Sequence, residues 1–346
     1  METQTKLPIK KQEVQHWHKY RLAKTNEKRL FYELLQDLCK IIQEPECKKT
    51  GRPKATLKDL VFSLGLKIYS NYSQLKTHSD LINAKEAGFI SKVPACNTIN
   101  DFLNCKETYD LLLRLLTITA MPIRNLGEDI ALDSSGFGSS QYEKWQFARV
   151  GKPSLKRNYL KAHIAVEVTT HVICSCSITC GNFHDVKQAP KLLEDLKDNF
   201  HPKRILADKA YASYRTYQII QSLNAIPYIP FKKNIKSPSK DAPSIWIRMF
   251  NYFQERPEQY MHFYHKRSNV ETTFHMVKSR LGEFLKCKNF NAQRNEILMK
   301  FICHNICCLI QEKYNRDIMI KFRECNNLFI KHHSKDAYPE TAIRDY

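Results

Sequence analysis

Two short apolar runs constrain this chain most, because each ends in an aspartate. The first is Asp129-Ile130-Ala131-Leu132-Asp133, followed by Ser134-Ser135-Gly136. The second is Arg204-Ile205-Leu206-Ala207-Asp208. Runs of this length bounded by turn residues read as buried strands. Between them, residues 161–180 alternate and are rich in β-branched side chains, with a break at 169–171, the pattern of a hairpin. Residues 186–196 and a stretch from about Ser213 read as helices. Residues 226–231 read as a fifth strand, and helices follow at roughly 267–281 and 292–314. This is an α/β order with a mixed five-stranded sheet flanked by helices. Functional groups of such sheets collect at strand ends, where Asp133 and Asp208 both fall.

The N-terminal 125 residues carry a different pattern. Leu30, Leu34, Leu35, Leu38 and Ile41 recur at helical spacing over 27–42. Gly51-Arg52-Pro53-Lys54 then breaks the chain, and Arg52 in this basic turn can reach into a minor groove. Several short helices follow over 56–119. Thr56 and Asp59 form a capping box, Ser73 caps a second helix that ends before Gly88, and Asn97 caps a third. Short helices with tight turns fit a helix-turn-helix-like DNA-binding region, and they fit a plain helical bundle equally well. The expected organisation is a helical N-terminal region over 1–125 and an α/β domain over 126–315. An insertion falls at about 235–260, and a tail over 316–346.

Charge narrows the partner. Lys and Arg number 55 against 35 Asp and Glu, a net +20 and a pI near 9.4. Such an excess suits a polyanion, and nucleic acid is the leading candidate. No apolar run is long enough to span a bilayer, and the N-terminus lacks the apolar segment of a signal peptide. The 12 cysteines therefore read as reduced thiols in a cytoplasm rather than a disulfide framework. Neither Cys174, Cys176, Cys180 and His184 nor Cys303, His304, Cys307 and Cys308 has the paired spacing of a structural zinc site.

A third acid completes a possible metal site. The segment reads Tyr264-x2-Arg267-x3-Glu271-x6-Lys278. With Arg267 at angle zero on a helix, Lys278 falls near ~20°, Glu271 near ~40° and Tyr264 near ~60°. Val270, Phe274, Val277 and Leu281 form an adjacent apolar stripe. One flank of this helix packs on the sheet, and its edge carries a Tyr, an acid and two bases. Two-metal phosphoryl transfer needs carboxylates converging on two Mg2+ ions about 4 Å apart. Taken singly, Asp133 can start a turn, Asp208 can cap a helix and Glu271 can pair with Arg267. Together they suit that site, with Arg267 and Lys278 placed to hold phosphates and Tyr264 to bond a phosphate or stack on a base.

At these residues the sequence resembles the DDE transposases of bacterial and archaeal insertion sequences, in the group with the Tyr-x2-Arg-x3-Glu-x6-Lys motif. Every spacing at Tyr264, Arg267, Glu271 and Lys278 matches. The segments Ala131-Leu132-Asp133-Ser134-Ser135-Gly136-Phe137 and Ala207-Asp208-Lys209-Ala210-Tyr211 look like the first and second acidic segments, although Ala212 and Ser213 depart from the common pattern. The likeness extends across roughly 126–313. It implies an RNase H-like core, with Asp133, Asp208 and Glu271 as ligands of two Mg2+ (or Mn2+) ions. It implies cleavage at element ends and strand transfer into target DNA by a homodimer. The substrate would be double-stranded DNA rather than a small molecule, and the setting the nucleoid of a prokaryotic cytoplasm. An RNase H-like nuclease without strand transfer and a repurposed DNA-binding protein are the competing readings.

Further DNA contacts are expected from the basic stretch 144–161. Here Arg149, Lys152, Lys156, Arg157 and Lys161 are interleaved with Trp145, Phe147 and Tyr159. The resemblance also implies a role for the insertion, making Trp246 a candidate for holding a flipped base. His163 faces either the site or the core.

Overall fold

The structure, a computed structural model, describes residues 17–45, 55–139, 159–181, 183–197, 199–232, 235 and 237–333. Arg52, Arg149, Lys152, Lys156 and Arg157 lie outside the described residues.

The expected mixed sheet is present. Its strands are β1 (Asp129–Gly138), β2 (Tyr159–Glu167), β3 (Ile173–Cys180), β4 (Arg204–Ala207) and β5 (Ile226–Tyr228), in the order β3-β2-β1-β4-β5. The β1–β2 and β2–β3 pairs are antiparallel, and β1–β4 and β4–β5 are parallel. This is the RNase H-like arrangement. Two strands differ in length from the sequence reading. β1 does not end at Asp133 but continues to Gly138, still paired with β2. The glycines there serve close approach rather than a turn. A Cβ on Gly136 would stand 2.9 Å from the Tyr159 ring, and one on Gly138 2.9 Å from the Phe284 ring. β5 stops at Tyr228 because Ile229 bonds elsewhere: its amide donates to the Tyr260 hydroxyl, and its carbonyl accepts from the Tyr217 hydroxyl.

The N-terminal helices are α1 (Trp17–Lys40), α2 (Leu57–Ser70), α3 (Gln74–Glu86), α4 (Cys96–Asn104) and α5 (Thr108–Ala120). Thr56 caps α2 and Ser73 caps α3 as expected. Asn97 does not cap α4; it lies inside that helix, and Ala95 holds the cap position with no side-chain bond. α1 starts ten residues earlier than its apolar spacing indicates, because its first turns are mostly exposed and polar.

After β3 come α6 (Ala189–Lys197), α7 (Tyr214–Ser222), α8 (Ser244–Glu255), α9 (Pro257–Tyr264), α10 (Ser268–Leu281), α11 (Phe290–Arg316) and α12 (Phe322–His333). The insertion thus holds a helix, α8. The tail holds another, whose Phe322 and Phe329 are buried and whose Asn326 accepts from Arg114 of α5 at 2.9 Å.

α11 joins the two halves. It is buried over most of its length, and one continuous core spans the N-terminal helices and the sheet. Its polar residues are spent on neighbouring backbone. Asn295 donates to the Leu103 carbonyl at 2.8 Å. Asn305 accepts from the Ile173 amide and donates to the Ile173 carbonyl, both at 2.8 Å, and reaches Thr119 Oγ1 at 3.0 Å. Lys300 donates to the Gly282 carbonyl at 2.9 Å. Of the candidate zinc clusters, Cys174, Cys176, Cys303, Cys307 and Cys308 are core side chains.

Asn305→Ala removes the side-chain partners of two buried backbone groups. It should cost about 2–4 kcal/mol, read as a lower urea midpoint. A second stability prediction concerns His304, which is buried against the His171 carbonyl at 2.9 Å. Burial lowers its pKa to about 4. The unfolded chain therefore binds the extra proton between about pH 6.5 and 4, and the stabilisation is lost as pH falls through that window. His304 alone should account for a loss of about 2 kcal/mol between pH 7 and pH 5. Urea unfolding of the wild type and of His304→Asn at both pH values checks this; the variant should show the smaller loss.

Candidate active site

The site begins where the parallel ladder ends. Leu132 pairs with Ala207 as the last step of β1–β4. The next residue on each strand is the acid, Asp133 or Asp208, so strand geometry sets the two side by side. Asp133 remains in β1, held by its antiparallel partner Ile164. Asp208 leaves the sheet and caps a 3-10 turn over Lys209–Tyr211, accepting from the Lys209 amide at 2.6 Å. Asp208 thus also fills its plain capping role.

Glu271 arrives on α10. Val270, Phe274, Val277 and Leu281 are all buried, as the apolar stripe requires. The Glu271 side chain is 63% exposed. Arg267 stands between the acids: Nη1 donates to Asp133 Oδ2 at 2.8 Å and Nη2 to Glu271 Oε1 at 2.7 Å. Asp133 Oδ1 accepts from the Ser134 amide at 2.8 Å. Burial raises the Asp133 pKa, and the Glu271 charge adds to this, against the Ser134 amide and Arg267, which lower it. Such a carboxylate gains from a further cation.

Lys278 reaches back to β1. Its Nζ donates to Ser135 Oγ at 2.9 Å and lies 5.2 Å from the centre of the Phe137 ring. Burial lowers its pKa. The sequence reading missed Ser135 as its partner. The signal was strand alternation, which puts Asp133, Ser135 and Phe137 on one face of β1. Tyr264 is the last residue of α9, and a 3-10 turn over His265–Arg267 leads into α10, so the four motif residues do not lie on one unbroken α-helix. The Tyr264 ring lies 5.9 Å from the Arg267 guanidinium. It also lines, with Asp208, Lys209, Phe231, Lys232 and Met261, an open cavity of about 1020 Å³.

Other expected contacts fall elsewhere. Trp246 is 5% exposed and packs on Tyr214, Tyr217 and Phe231 at ring distances of 4.8, 4.7 and 5.0 Å. A ring that stacks on a base has to be accessible, so the flipped-base expectation is corrected: Trp246 is the core anchor of α8. The Lys161 ammonium is not turned to solvent but is paired with Asp185 at 2.6 Å. His163 is fully buried, its Nε2 3.0 Å from Thr179 Oγ1, and burial lowers its pKa to about 4. It is a neutral core histidine.

Asp133, Asp208 and Glu271 supply only oxygen donors, the chemistry of a hard divalent cation. Among the described residues, no three His, Cys, Asp or Glu side chains stand close enough to hold an ion as they lie. Arg267 bridges Asp133 and Glu271 and neutralises both. A cation between them would displace that guanidinium, and the exposed Glu271 can swing to follow.

Residues 124–306, just over half of the chain, match the family described as the Transposase DDE domain. The chain belongs to this transposase family. Asp133, Asp208 and Glu271 fall within the matched span. No individually curated protein is similar enough in sequence to count as a match. Among solved structures, the piggyBac transposase synaptic complex with hairpin DNA, seen by cryo-electron microscopy, is similar at a TM-score of 0.41 and 11% identity. The similarity covers 90% of this chain and 81% of that one.

Arg267→Ala strips the counter-ion from a carboxylate that is 20% exposed. For a pair intermediate between surface and buried, the metal-free transposase should lose about 1–2 kcal/mol. Saturating Mg2+ should raise the melting temperature of the variant more than that of the wild type, measured by thermal denaturation with and without the ion.

Proposed function

We propose that this transposase cuts DNA at the ends of a mobile element and joins the freed ends to target DNA, using divalent metal held by Asp133, Asp208 and Glu271. The observation that carries the proposal is the ladder end. Two acids follow the same register step on adjacent parallel strands, and a third lies across from them on α10, linked through Arg267. Two bound Mg2+ or Mn2+ ions supply activation of the attacking oxygen and stabilisation of the leaving one.

The chain's own residues do the rest. Arg267, freed from Asp133, presents a bidentate fork to a phosphate. Lys278 stays fixed by Ser135 and Phe137 as a point charge along the backbone path. Tyr264 lines the same cavity as Asp208, placed to bond or stack on a nucleotide next to the cut. The net charge of +20 favours long-range capture of DNA. Bridging two element ends calls for two active sites, hence a homodimer on DNA. No helix among the described residues is long and apolar enough to cross a membrane.

Asp208→Ala should abolish cleavage of DNA carrying the cognate ends and leave end binding intact, measured by cleavage gels and mobility shifts; normal cutting by the variant in Mg2+ would refute the metal assignment. A plasmid target separates transposition from simple hydrolysis, because cleaved ends that never join would make the protein a nuclease. DNA affinity should fall steeply between about 50 and about 200 mM salt as phosphate contacts release counterions.

A further inference from the structure

We infer that Asp185 is a positioning residue for the candidate metal acids, fixing β1 at Asp133 and tying it to the turn that carries Asp208. This rests on the metal-site reading above.

Asp185 lies just beyond β3, at the start of a 3-10 turn over Asp185–Lys187. Strand alternation turns Ser134 to the sheet face opposite Asp133. On that face Ser134 pairs with His163 of β2, and Lys161 lies two residues away. Asp185 Oδ1 gathers these groups. It accepts from Ser134 Oγ at 2.9 Å and Lys161 Nζ at 2.6 Å, and lies 3.3 Å from His163 Nδ1. The same Ser134 donates its amide to Asp133 Oδ1. A two-bond relay therefore runs from Asp185 through Ser134 to one oxygen of the first acid.

The second acid lies close through the turn that ends at Tyr211. This buried residue ends the 3-10 turn that Asp208 caps. Burial, and then the charges of Asp185, Asp133 and Asp208, raise its pKa. The link is one of packing: the 3-10 turn that Asp185 opens lies against the 3-10 turn over Lys209–Tyr211 that Asp208 caps.

Charge gives the second argument. A residue that only anchors the exit of β3 needs an acceptor, and Asn would supply one. A carboxylate adds negative charge beside two other acids, which costs free energy until a cation arrives. Lys161 offsets part of that charge, and both partners keep about a fifth of their side chains exposed. The remaining field favours a divalent ion at Asp133 and Asp208. Groups that orient metal ligands from behind are typically worth about 10- to 100-fold in affinity or activity.

The test is Mn2+ binding by titration calorimetry on the full chain, with folding checked by thermal melts. Asp185→Ala should weaken Mn2+ binding about tenfold, and Ser134→Ala should weaken it in the same direction. Gln188→Ala is the control. It cuts a comparable bond to β3, from Ser177 at 2.8 Å, without touching Ser134, and should leave Mn2+ affinity unchanged. Asp185→Asn keeps the acceptor and serves if the alanine variant does not fold; it too should lose affinity, through its missing charge. Wild-type Mn2+ affinity in folded Asp185→Ala or Asp185→Asn overturns the inference, as does an equal loss in Gln188→Ala. A wild-type chain that binds no Mn2+ overturns the metal-site reading, and the inference with it.

Discussion

A half-buried carboxylate has to be compensated, and the arrangement around Asp133 follows from that need. Arg267 supplies the charge, so the chain before α10 has to present a guanidinium at the sheet surface. The 3-10 turn between α9 and α10 does this by tightening the backbone just ahead of Ser268. The same guanidinium reaches Glu271 one turn on. The two acids are therefore held at a fixed separation in the metal-free protein, with the cation that neutralises them placed where a metal would compete. Charge neutrality selects the resting geometry; a divalent ion and a DNA phosphate together can exchange it for another.

The acids were legible in the sequence because each sits at a discontinuity. Asp208 ends a strand and Glu271 flanks an apolar stripe, and local pattern reports both. Asp133 stood out in the sequence for a reason that proved incomplete. Small residues after it imitate a turn, whereas Gly136 and Gly138 are small because the Tyr159 and Phe284 rings press against them. A turn and a close approach use the same residue type, and only the partner strand distinguishes them. Trp246 misled in a related way. It drew notice by its place in an insertion that related transposases can use to hold a flipped base, but Tyr214, Tyr217 and Phe231, which close over it, come from other segments of the chain.

Lys161 and Asp185 show what lies beyond any local reading. Nothing in the stretch 144–161 marks Lys161 as different from its basic neighbours. Its β-strand register does so, by turning it to the face where the chain returns after β3. Conversely, Asp185 is separated from Ser134 by 51 positions, and its importance is invisible until the hairpin brings it back. Side-chain charge is local information, but the partner that determines its use is topological.

α10 shows how the helical half bears on the chemistry. Its first turn carries Glu271, and its last turn carries Arg280, whose guanidinium makes an ion pair with Glu27 of α1 and lies 5.2 Å from the Tyr69 ring of α2. Beyond its end, Lys300 of α11 grips the Gly282 and Phe284 carbonyls, and Lys286 donates to the Asn71 carbonyl after α2. A helix of 14 residues spans about 21 Å. It is anchored to the N-terminal helices at one end and to the Asp133 carboxylate, through Arg267, at the other. A rigid rod with both ends bonded cannot shift at one without strain at the other. Any rearrangement of α1 and α2 on DNA would thus be felt at Glu271, the most exposed of the three acids.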